Sequence, residues 1–323
     1  MNLPTSTAEA IALVERATAE ELFGGDDPAR AYRRLARLTH PDTAGPAGAR
    51  AFTRLAELWR TRGAIRSTKG VYPTAVLDFR GDLANLYRVP EGHLKLVRDP
   101  SCNDLMAREA AALRRLAEHG DPRYLPYVPR LVDTFRHKEG GVVRRANVIA
   151  VTSGRTAGRL HSLAEVAAKR PHGLDPRDAA WMWRRLLVAL GLAHRAGVIH
   201  GAVLPEHVLI EPDDHGVVLV DWCYSAAEPD QRIAAIVPRY RDHYPAEVLD
   251  RGTPAPCTDL AMAARVMADL IGDRAPKPLR RFADGCRLAS PRQRPDDAWR
   301  LLREFDELLH HLYGPRKFRP FTL

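Results

Sequence analysis

The first sixty residues repeat their apolar positions at three and four, the period of an amphipathic helix, and contain nothing strand-like. "TAEAIALVERATAEELFG" predicts one helix stopped by Gly24-Gly25. "DDPARAYRRLARLT" predicts a second, with Asp27 as cap and Pro28 in its first turn. On that helix Arg30, Arg33, Arg34 and Arg37 share one face, and Tyr32, Leu35 and Leu38 form an apolar strip. The helix ends at His40-Pro41-Asp42; after a loop "TAGPAG", a third helix, "ARAFTRLAELWRTRG", turns Phe52, Leu55, Leu58 and Trp59 to the same core.

From about Thr61 the period changes to two. "TAVLDF", "LANLYRV", "HLKLV" and "NVIAV" predict strands of a sheet, with "TRGAIRSTKG" as the linker before them, and the remainder is mainly helical. The expected class is α+β: a small helical domain over 1–63, then a sheet-rich lobe over 64–155 and a helical lobe with a tail over 156–323.

Composition narrows the function classes. With 45% hydrophobic residues the chain can build a sizeable core. No apolar run approaches a membrane span, and the acidic residues near the start argue against a secretory leader, so a cytoplasmic protein without membrane contact is expected. The four cysteines are far apart, as in a reducing compartment. The thirteen histidines lack metal-ligand spacing, and no structural metal is expected. A net charge of +9 attracts phosphate, but the arginines are dispersed without interleaved aromatics; a solvated basic surface is expected rather than a nucleic-acid partner.

A basic helix, His40-Pro41-Asp42 and a following helix carrying Phe52 together resemble a J domain. The loop after the tripeptide is short and the first helix lacks an aromatic entry, so the resemblance is to a divergent member. It implies docking on a DnaK-type chaperone through His40, Pro41, Asp42, Arg33, Arg34 and Arg37. The plainer alternative is a helix-terminating loop, since proline must stop the second helix.

The rest of the chain, roughly 68–313, resembles a protein kinase in several motifs taken in order. Lys95 stands in the apolar strand "HLKLV", in a chain with six lysines against 43 arginines, and Glu109 follows fourteen positions later in a helical segment. The resemblance implies an ion pair between them, with Lys95 over nucleotide phosphates; a snorkelling edge-strand lysine is the alternative. Upstream, where a glycine-rich loop belongs, only Gly81 is present, beside Asp82, whose charge would repel phosphates.

"VIHGAVLPEHVLI" aligns with the pattern His-Arg-Asp-Leu-Lys-Pro-Glu-Asn. His200, Pro205 and Glu206 match. Gly201 stands for the arginine, Ala202 for the catalytic aspartate, Leu204 for the lysine and His207 for the metal-binding asparagine. Ala202 cannot accept a proton, a loss worth roughly 10²–10⁴ in rate, and Leu204 cannot neutralise phosphoryl charge. Asp221, nineteen residues after Ala202, sits where a magnesium-binding aspartate would, but Trp222 and Cys223 replace the phenylalanine and glycine after it, which predicts one fixed conformation.

In "YPAEVL" Glu247 is implied to pair with Arg294, and Asp259 to brace the catalytic loop. The expectation is a J-domain co-chaperone whose kinase-like part is a pseudokinase, binding a client protein and at most ATP with Mg on Asp221. The alternative is an atypical serine/threonine-type kinase using Lys95, Glu109 and Asp221, with Glu206 or His207 as base.

Overall fold

The computed structural model describes residues 4–17, 19–23, 27–74, 77–139, 141–151, 159–228 and 230–323. The chain is an α+β protein of two compact units, Met1–Leu94 and Lys95–Leu323.

In the first unit, α1 (Thr7–Arg16) starts at Ser6, whose hydroxyl and the Glu9 carboxylate each accept from the other's backbone N–H. The expected single helix is two: Ala17 is extended and α2 (Ala19–Phe23) follows. The break has a cause in Arg54, whose Nε donates to the Val14 carbonyl at 2.8 Å. That guanidinium takes over a carbonyl another helical turn would have satisfied. Gly24-Gly25, the expected stop, lie outside the described residues.

Asp27 caps α3 (Pro28–Thr39), accepting from the Arg30 N–H at 2.8 Å, and the helix gives way at His40, ahead of Pro41. The loop expected at "TAGPAG" is instead part of α4 (Pro41–Thr61), helical from Pro41 and interrupted at Gly45, whose φ of 62° is available to glycine at little cost. Val14, Leu35 and Leu55 are fully buried together, and Trp59 stacks on Tyr32 at 4.4 Å and meets Phe23 edge-on at 5.1 Å.

The expected linker is also a correction. Its residues begin an antiparallel hairpin of β1 (Ala64–Arg66) and β2 (Val71–Pro73), because Ile65 and Tyr72 pair and are both buried while the Ser67 hydroxyl accepts from the N–H groups of Lys69 and Gly70 to close the turn. A second hairpin joins β3 (Leu77–Arg80) and β4 (Ala84–Val89), and β5 (Gly92–Val97) carries the chain from one unit into the next.

In the second unit α5 (Asn103–His119) precedes the long antiparallel pair β6 (Arg130–Glu139) and β7 (Val142–Ala150). The short β8 (His161–Ser162), β9 (Val208–Glu211) and β10 (Gly216–Leu219) form a three-stranded sheet in the order β10-β9-β8. Helices α6 (Leu163–Lys169) and α7 (Pro176–Arg195) come before β9; α8 (Ala246–Leu249), α9 (Pro256–Ile271), α10 (Lys277–Cys286) and α11 (Ala298–Tyr313) come after β10.

The helical core gathers around Trp183, with Phe305 at 4.8 Å and Phe282 at 5.4 Å. Gly191 in α7 has a specific reason: a Cβ there would lie 2.5 Å from the Trp299 indole. Beyond α7, Gly197 has φ 73° and closes its N–H on the His194 carbonyl, so the helix ends where the loop to β9 begins.

Candidate functional site

Lys95 lies on the buried stretch of β5 and its side chain is 3% exposed. An ammonium so far from water needs partners. It has two: its Nζ donates to Glu109 Oε1 at 2.6 Å and to Asp221 Oδ1 at 2.5 Å. Glu109 comes from the buried face of α5, and its other oxygen accepts from Asn147 Nδ2 at 2.9 Å. Asn147, fully buried in β7, also donates to the Met106 carbonyl and so ties strand to helix.

Asp221 follows β10 in a left-handed conformation, φ 64° and ψ 52°. It is held there by its neighbour. Trp222 is fully buried, donates from its indole to the Leu219 carbonyl at 2.8 Å, and meets the His200 ring edge-on at 4.6 Å.

Lys95 and Asp221 hold each other in their charged forms. Burial alone would pull the Lys95 ammonium down, but Asp221 and then Glu109 outweigh it and hold its pKa well above the ordinary lysine value. Burial likewise would raise Asp221, yet Lys95, followed by His207, keeps it far below the usual carboxylate range. One ammonium facing two carboxylates leaves no spare positive charge for a phosphate that arrives without a cation of its own.

The loop after α7 is built around Asp259 at the start of α9. Its carboxylate accepts from the backbone N–H groups of His200 and Gly201, both at 2.8 Å, and lies 3.0 Å from His194 Nε2. His200 is fully buried; its Nε2 donates to the Val220 carbonyl and its Nδ1 accepts from the Ala202 N–H. That pattern requires a neutral ring, and burial accordingly pushes its pKa down to about 4. Gly201 has φ 75°, and a Cβ on it would lie 2.1 Å from Ile233 Cδ1.

Ala202 and Leu204 are fully buried and offer no polar atom beyond the backbone. His207 spends its Nδ1 on the Ala202 carbonyl at 2.8 Å, while its Nε2 is 3.6 Å from Asp221. Glu206 is ion-paired with Arg239. Farther along, Arg294 Nη1 meets Glu247 at 2.6 Å and the Thr258 hydroxyl donates to the same Glu247 oxygen at 3.2 Å.

Magnesium is not well served. It prefers several oxygens, and the one carboxylate of the expected position is already engaged by Lys95, with an imidazole as its neighbour. Among the described residues no group of three or more His, Cys, Asp or Glu is disposed to hold a metal ion, and no helix is long and apolar enough to cross a membrane.

The other named residues lie in the first unit. Gly81 is the turn between β3 and β4, its N–H donating to the Ala84 carbonyl. His40 packs edge-on against Phe52 at 5.3 Å, and its Nδ1 accepts from the Asp42 N–H at 3.3 Å. Pro41, Asp42, Arg33, Arg34 and Arg37 are exposed, and Arg34 also donates to the Pro4 carbonyl.

Asn147, Arg239 and Ile233 were not among the residues picked from the sequence. Asn147 had a signal, a lone amide inside the apolar run "NVIAV"; the other two had none. No protein-family model matches the chain.

Proposed function

We propose that the chain is a J-domain-type co-chaperone whose second part is a two-lobed, kinase-like domain without phosphotransfer, serving as a binding platform. One contrast carries this reading. The contacts that would brace a kinase centre are present, namely Lys95 with Glu109, Asp259 with the loop at His200 and Glu247 with Arg294, while the chemical positions are apolar or engaged. A domain that keeps such a frame and lacks its base acts by binding rather than by catalysis. The alternative of an active kinase finds less support, because Glu206 is neutralised by Arg239 and His207 is turned to a carbonyl. ATP, on this reading, binds weakly at best, because Gly81 alone stands where a glycine-rich loop belongs and His207, turned to the Ala202 carbonyl, replaces the metal-binding asparagine.

The recruiting role rests on the basic face of α3 leading into His40-Pro41-Asp42. An ATPase assay tests both halves at once. The protein alone is expected to hydrolyse ATP at background, to stimulate a DnaK-type chaperone when mixed with it, and to lose that stimulation in His40→Gln without loss of helicity. Hydrolysis by the protein alone, or equal stimulation by His40→Gln, contradicts the reading.

A further inference from the structure

A second cavity, of about 810 Å³, lies between α7, α11 and the C-terminal segment and shares no residue with the Lys95 cluster. Five cationic residues line it, Arg177, Arg184, Arg316, Lys317 and Arg319, against one carboxylate, Asp306. Three of the five are paired: Arg177 with Asp175, Arg184 with Asp306 and Arg319 with Asp178. Arg316 and Lys317 take part in none of these pairs and add two positive charges to the wall.

The wall also carries aliphatic residues such as Leu309 and Pro315, the ring of Tyr313, and three rings that engage one another. Trp181 stacks on His215 at 4.1 Å with the rings 5° apart, and Phe318 covers the same imidazole at 4.4 Å. These three rings are spent on one another, and the cationic side chains are the wall's main polar groups. The Trp181 indole N–H is also buried without an acceptor. Partial cover of an otherwise exposed side chain, then the guanidiniums of Arg184 and Arg185, pull Arg316 below the ordinary arginine value, with Asp306 opposing them. An entering anion would relieve that crowding.

We propose that this cavity binds a small soluble oligophosphate. Its volume is in the range of small-molecule sites. The cationic groups come from two separate segments, α7 and the tail beyond α11, with those outside the ion pairs on the tail, and a chain of phosphates presents oxygens in several directions, whereas a carboxylate is planar and is served by one guanidinium fork. Tripolyphosphate is a suitable probe because it carries no base or sugar.

Titration calorimetry on the whole protein tests the site, with tripolyphosphate and with citrate at matched ionic strength. The wild type is expected to bind tripolyphosphate one to one, and the Arg316→Gln/Lys317→Gln double variant to bind it about tenfold or more weakly, since each charge-assisted contact is worth a kcal/mol or more. Both residues are exposed, so the unliganded variant should melt with the wild type; Arg316→Glu alone is a second variant expected to act in the same direction. Absence of binding, equal affinity in wild type and both variants, or citrate binding as tightly as tripolyphosphate overturns the proposal.

Discussion

His200 shows how one side chain fixes a loop. Its ring donates on one side and accepts on the other, under Trp222, and a second ring proton would face the Ala202 N–H. Its folded pKa of about 4 lies below the unfolded value of roughly 6.5. The unfolded chain therefore binds the extra proton first as pH falls. The stability His200 contributes is complete above about pH 6.5 and is lost progressively toward pH 4. The difference amounts to about 3 kcal/mol for a shift of this size. Urea unfolding between pH 7 and pH 4 is expected to show the wild type losing about that much more than His200→Gln. Parallel curves would mean that the buried ring titrates normally.

At the scale of elements, the loop between α7 and β9 leaves no room for the arginine that the kinase pattern has at position 201. Gly201 occupies a left-handed conformation against Ile233, with its N–H fixed on Asp259. An arginine there has neither the backbone freedom nor the room. Even Gly201→Ala is expected to cost about 1–3 kcal/mol in chemical denaturation; an unchanged midpoint would show that Ile233 moves aside freely.

The same scale marks what the sequence could tell. Helix α3 was legible because its start is local: Asp27 and Pro28 cap it, and Pro41 ends it. The break at Ala17 was not, since it depends on Arg54, some forty residues away. The hairpin of β1 and β2 was hidden because a short, half-polar segment reads as linker until Ile65 meets Tyr72. In the site, Lys95 stood out by residue type and Glu109 by its place in a helical segment fourteen positions later. Their third partner, Asp221, is 126 positions from Lys95, and Asn147 declared itself only as an amide among apolar neighbours.

For the whole molecule, burial and charge point the same way. The second unit commits a buried ion pair, a bracing aspartate and an apolar loop at Ala202 and Leu204 to holding one arrangement. Breaking such a buried pair costs roughly 3–5 kcal/mol, so Lys95 and Glu109 stabilise the unit whether or not a nucleotide ever reaches them. On the function proposed above, this frame is kept without phosphotransfer.

That claim is tested most directly by incubating the protein with labelled ATP, magnesium or manganese and generic protein acceptors, beside an Asp221→Asn control. No label above the control is expected on the acceptors or on the protein itself. Label transferred by the wild type and lost in Asp221→Asn would contradict it, and would mean that a base other than the missing one at Ala202 serves the reaction.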